Sequence, residues 1–356
     1  MGYRLTLAVL LISSLATILP SGMAAGVPGE PDTAEQTAIQ EAASWIGRKN
    51  NVATEYRYVM TCKVRLVFFW AGSDDVGGGY IRIGKADGDD PQQMIQLLFG
   101  SDPAKAPLAI NRWGGGTEVL RSPAAGDPPS SAFFGFMKSS KGQSVLAMRS
   151  ELSKEKANGA HLFEGIMSRV DDGRALSTTV PYTSDRDFDL HQYPEAEKAT
   201  LQQLENNPAR QIRTLEGAGR QSCPRTGEFL STILQLIDDA VAAHSTPESL
   251  CYIYNARHYT ATLVNVQQVQ DKTVHVQFHA NGGSLDRAYR HLNNAHFEVY
   301  CQETATKSVF DITLGTEGNI RGVPIQINYQ PNWWFQIVLN LLPNNPQQPG
   351  TPGQPH

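Results

Sequence analysis

The sequence predicts an α+β chain, with mainly antiparallel β-sheets toward both ends and two or three packed helices between them. Three observations lead there. Residues 56–70 alternate with period two, residues 227–243 carry an apolar stripe at helical spacing, and residues 250–341 divide into alternating segments punctuated by turn residues.

Tyr56, Tyr58, Met60, Cys62, Val64, Leu66, Phe68 and Trp70 share one strand parity. The run is longer than an ordinary strand, so a bend or bulge is expected within it. Ser73-Asp74-Asp75-Val76-Gly77-Gly78-Gly79 reads as the following turn, with Tyr80-Ile81-Arg82-Ile83 returning as a second strand and residues 93–99 as a third. Pro103, Pro107, Pro123, Pro128 and Pro129, with Gly114-Gly115-Gly116, predict long loops around short pieces such as residues 117–120. Phe133, Phe134, Phe136 and Met137 return the chain to a core. Residues 143–156 read as a helix, and residues 161–170 suit a strand or a helix equally.

Two helices are better marked. Pro194 opens the first, Glu195 and Glu197 suit the positive end of its dipole, and Leu201 and Leu204 continue it. Pro208 interrupts it before Ile212 and Leu215, and Gly217 is its stop. The second presents Phe229, Leu230, Ile233, Leu234, Leu236, Ile237, Ala240 and Val241 as a broad apolar face that packs on a sheet. Strands are expected within residues 250–266, 273–279, 297–301, 309–314, 323–329 and 335–341, with a turn at Thr316-Glu317-Gly318-Asn319. Pro324 and Pro331 mark an edge or strand ends.

The domain reading has five parts. Residues 1–25 carry one charge, Arg4, then an apolar run of about 15 residues and a small-residue exit at Ala24-Ala25, the order of a signal peptide. Residues 26–40 form a flexible lead-in, 41–190 a β-rich N-terminal region and 191–342 a helix plus an antiparallel C-terminal sheet. Residues 343–356, with five prolines and no charged side chain, form a disordered tail. The expected location is secreted or periplasmic, with no membrane span once the signal is removed: the first apolar run is short of a bilayer's width, and the mature chain has no second long one.

A formal charge of −5 gives no electrostatic drive toward DNA or RNA. Cys62, Cys223, Cys251 and Cys301 have no C-x-x-C spacing, so a zinc site or thioredoxin-like centre is not expected, and an even number in an oxidising compartment fits two disulfides. The most enzyme-like arrangement is Cys223 before an apolar helix, with His258 and Asn281 downstream. A thiol at a helix N-terminus is a better nucleophile, a strand His can serve as base, and Asn281 can orient it. A disulfide made by Cys223 is the competing account, and the stronger one.

Other candidates have plain structural accounts. His275 and His279 lie four strand residues apart, about 13 Å, too far for one metal. His258 could approach from a neighbouring strand, but no H-E-x-x-H or comparable carboxylate spacing supports it, and His291 and His296 are five apart across a turn. Asp74-Asp75 and Asp87, Asp89 and Asp90 precede or flank glycines as turns do, without a calcium-loop pattern. The acidic run Asp171-Asp172, Asp185, Asp187 and Asp189 fixes no glycosidase distance. Trp113, Tyr252, Tyr254, Tyr259, Trp333 and Trp334 could line a groove, but Tyr259 does not share the strand parity of Tyr252 and Tyr254.

No metal or cofactor is expected. The sequence favours a non-catalytic binding or structural envelope protein whose partner is an extracellular macromolecule, a carbohydrate or an envelope component. The alternative is a secreted hydrolase with a Cys223–His258 centre.

Overall fold

The computed structural model describes residues 33–47, 50–66, 69–86, 92–106, 109, 111–121, 130–138, 161–171, 174–208, 210–216, 226–242, 248–254, 257–278, 283–332 and 335–342. The fold is not α+β. Among these residues it is one 15-stranded sheet with three short α-helices, and every strand pairing is antiparallel except that of the last-ranked edge strand.

The strands are β1 (Asn50–Leu66), β2 (Phe69–Ala86), β3 (Gln92–Ser101), β4 (Trp113–Arg121), β5 (Ser130–Lys138), β6 (His161–Asp171), β7 (Arg174–Ser184), β8 (Gln211–Glu216), β9 (Thr226–Gly227), β10 (Glu248–Tyr254), β11 (Arg257–Gln277), β12 (Ser284–Cys301), β13 (Thr306–Gly315), β14 (Pro324–Asn332) and β15 (Phe335–Leu341). The helices are α1 (Thr33–Ile46), α2 (Tyr193–Asn206) and α3 (Phe229–Val241). From edge to edge the order is β8-β7-β6-β5-β4-β3-β2-β1-β15-β14-β13-β12-β11-β10-β9. The two expected sheets become one because β1 pairs with β15, Tyr58 opposite Leu341 and Val64 opposite Phe335.

The sheet curls until it overlaps itself. The side chain of Ile253 points away from the face of β10 that carries Tyr252, and it packs in one buried cluster with Val170 on β6 and Ala175 on β7. Val170 shares strand parity with Ile166, which packs in the same core as α3. The outer face of β10 therefore lies against the inner face of β6–β7, and α3 is enclosed by the curl. On the outside, α1 and α2 cover β3–β7 through Ile39, Trp45, Ala196 and Leu204 against Leu98, Phe134, Phe136, Phe163 and Val180. Gly165 lets α2 approach closely, since a Cβ there would stand 2.5 Å from Thr200 Cγ2.

Local differences follow from this closure. The bend expected within residues 56–70 is a strand end at Leu66, with register shifts between Val52 and Thr54 and between Met60 and Cys62. Residues 73–79 are not a turn but part of β2, where the three glycines oppose Tyr58, Val59 and Met60. Residues 161–170 are a strand. Ile212 and Leu215, read as helical, lie on β8, and α1 begins within the stretch read as a lead-in. The turn at residues 316–319 is present, with Gly318 at φ +59°, a backbone conformation that favours glycine. The helix read at residues 143–156 lies outside the described residues.

Candidate functional site

α3 is positioned by a cap from another strand. Glu228, the residue before it, provides no side-chain cap. Instead a Glu118 carboxylate oxygen on β4 accepts from the backbone N–H groups of Leu230 and Ser231, at 2.6 and 3.1 Å. A carboxylate suits the positive end of a helix, where the first N–H groups lack intrahelical partners. Glu228 itself accepts from the Ser168 hydroxyl of β6 at 3.1 Å. Both acids are 0% exposed. Burial pushes the Glu118 carboxyl up to about 7 despite its hydrogen bonds, and burial together with the neighbouring Glu118 pushes Glu228 well above the ordinary range.

Between α3 and the inner face of the curl lies a cavity of ≈ 230 Å³. Ile81, Ile95, Leu97 and Phe133 wall it from one arm of the sheet. Phe229, Leu230, Ile233, Leu234 and Ile237 wall it from the helix, and Tyr252, Phe297, Ile312, Ile327 and Ile337 from the other arm. Among the described residues no Asp, Glu, Lys, Arg or His lines it. A lining of this kind suits apolar molecules.

The tyrosines assigned no common platform do form one. The hairpin between β10 and β11 sets Tyr252 opposite Tyr259, so parity counted along the chain does not carry across the turn. Their rings stack at 5.2 Å and 11°, with Tyr254 edge-on to Tyr259 at 6.2 Å and Phe229 against both Tyr252 and Tyr254. Tyr252 and Tyr254 line the cavity. Trp113 is a core residue whose Nε1 donates to the Phe188 carbonyl at 3.0 Å, and Trp333 and Trp334 lie outside the described residues.

Of the enzyme-like set, Cys223 and Asn281 lie outside the described residues. The His258 Nδ1 is 2.8 Å from Glu303 Oε1, and that carboxylate also accepts the His258 backbone N–H at 2.9 Å. Burial raises the Glu303 carboxyl, but these hydrogen bonds outweigh it and hold the group below its usual value. The Cys301 Sγ donates to the same carboxylate at 3.6 Å. The expected two disulfides do not form: Cys62 and Cys301 are free thiols, Cys251 is disulfide-bonded, and no two described cysteines bridge each other. His275 pairs with Asp286 at 2.5 Å and His296 with Asp311 at 2.7 Å, so these histidines sit in cross-strand pairs.

Fold and site together define a mainly antiparallel β protein with a helix-filled, apolar interior. No protein-family model matches the chain, and no curated protein matches it. Among solved structures, a β-barrel-like protein of domain of unknown function DUF1849 from Brucella abortus is similar at 9% identity. The match covers 83% of this chain and 98% of that one, with a TM-score of 0.39.

Proposed function

We propose that this chain is a non-catalytic extracytoplasmic binding protein that holds an apolar, hydrocarbon-like envelope component in the cavity between α3 and the curled sheet. The cavity carries this reading. It lies between two arms of one sheet and a helix, partly open to solvent, and every lining side chain other than tyrosine is wholly apolar. A hydrocarbon chain seated there would remove apolar surface of both partners from water. The signal-peptide-like order of residues 1–25 supports an extracytoplasmic setting. No helix among the described residues is long and apolar enough to cross a membrane.

The cysteines support the same compartment. β9 runs parallel to β10 with Thr226 opposite Cys251, three residues along the chain from Cys223. We infer that Cys223 is the partner of the disulfide-bonded Cys251. That pairing would leave Cys223 no thiol for chemistry with His258.

The direct test is titration with N-phenyl-1-naphthylamine, a neutral dye that fluoresces in apolar surroundings. Wild type is expected to show one saturable site. Ile233→Trp, which fills the cavity from α3, is expected to lose it while keeping the same circular dichroism. Absence of saturable binding, or equal binding by the filled variant, would overturn the reading.

A further inference from the structure

The cavity stops short of one end of the curl. Among the described residues, β1 to β5 line it from one arm, and β6, β7 and β8 supply no lining residue. Phe133 on β5 is the last of that arm in the strand order. Its ring meets Tyr254 of the opposite arm edge-on at 5.5 Å, and Tyr254 meets Phe229 of α3 at 5.5 Å. Rings from β5, β10 and α3 thus stand in contact as a wall across the space between the arms. Met137 and Ile166 belong to the same core as Phe133 but lie outside the lining.

Two facing glycines fix where the Phe133 ring lies. Gly116 on β4 is paired with Gly135 on β5. A Cβ at Gly116 would stand 2.9 Å from Cε2 and from Cζ of Phe133, and one at Gly135 2.7 Å from Cε1 and 2.9 Å from Cζ. The tip of the ring therefore rests on bare backbone, and a side chain at either position would push it away. With glycines beneath it and Tyr254 across from it, the ring is a fixed stop.

Building on the binding role above, we propose that Phe133, seated on Gly116 and Gly135 and in contact with Tyr254, sets the length of hydrocarbon chain that the cavity accepts. Each methylene of a chain gains by leaving water only while there is apolar space to receive it. A chain that reaches the wall of rings must keep its further carbons outside or displace a packed side chain, and overpacking is unfavourable. The favoured ligand is therefore a single chain of bounded length.

The test is displacement of N-phenyl-1-naphthylamine by 1-hexanol, 1-octanol, 1-decanol, 1-dodecanol and 1-tetradecanol. In wild type the affinity is expected to climb by about fourfold per added methylene, the scale of burying one CH₂, and then to level off within the series. Phe133→Ala is expected to move the plateau to a longer chain, opening the space toward Met137 and Ile166. Gly135→Ala, whose methyl lifts the ring, is expected to move it to a shorter one. Unchanged affinity for hexanol reports that each variant is folded. Phe133→Leu removes less packing, is expected to shift the plateau the same way, and decides the matter if Phe133→Ala does not bind the dye. An affinity that climbs through tetradecanol in wild type, or a plateau that stays in place in Phe133→Leu, overturns the inference while the cavity reading stands. A Gly135→Ala plateau at or beyond that of wild type has the same meaning. If wild type binds no dye, the cavity reading itself fails and this inference falls with it.

Discussion

Glu118 and Leu230 are 112 positions apart in sequence, yet the carboxylate of one accepts the backbone N–H of the other at 2.6 Å in a fully buried setting. The bond fixes where the enclosed helix begins, and α3 is one wall of the cavity.

Burial of the Glu118 carboxyl, only partly offset by those hydrogen bonds, gives stability a pH signature. The Glu118 carboxyl stands at about 7 in the folded chain against an ordinary 4.5. Between those values the folded state holds more protons than the unfolded one, so the contribution is full below about 4.5 and is lost as pH rises through about 7. Glu118→Gln keeps an oxygen for the Leu230 and Ser231 N–H groups and removes the charge. Urea unfolding of this variant is expected to lose part of the decline between pH 5 and 8 and to gain roughly 1–3 kcal/mol at pH 8. A loss of stability at pH 8 would show that the ionised form is the one the fold requires.

The overlap of the sheet on itself rests on few side chains. Ile253 is 0% exposed and packs with Val170 and Ala175 from the opposite end of the strand order. Ile253→Ala is expected to cost about 2–5 kcal/mol in denaturant unfolding. A cost below about 1 kcal/mol would mean that the sheet ends are not closed in solution.

Cysteine chemistry separates the thiols. Burial pushes the Cys62 thiol up to about 12. At pH 8 its thiolate fraction is on the order of 10⁻⁴, so alkylation by iodoacetamide is expected to be about three orders of magnitude slower than for a free cysteine. Non-reducing peptide mapping of the exported chain is expected to show a Cys223–Cys251 link, unlinked Cys62 and Cys301, and a new N-terminus after Ala24 or Ala25. A readily alkylated Cys223 would instead revive the Cys223–His258 reading.

How much was legible depended on how many faces of an element are covered. β1, β14 and β15 were visible from alternation, and α2 and α3 from their apolar spacing and from Pro194. β4 and β5 were hard to see because both faces are buried, one under α1 and α2 and the other toward α3. Trp113 to Val119 and Ser131 to Met137 are continuously buried, so they show no polar alternation. The proline and glycine content of that region then read as loops. The β1–β15 pairing, which turns two sheets into one, joins segments more than 270 positions apart by their numbering and leaves no local mark. The cavity was equally hidden: Phe229, Ile233 and Ile237 on α3 read as core, and nothing in their spacing tells a filled contact from an open one.

The most direct test of the cavity as a binding site is a crystal structure of the protein grown with 1-bromodecane, with data collected at the bromine edge. The account predicts an anomalous peak between α3 and the inner face of the sheet, within contact of Ile233, Ile337 or Tyr252. Bromine found only on the outer surface, with the space beside α3 closed by repacked side chains, would contradict it.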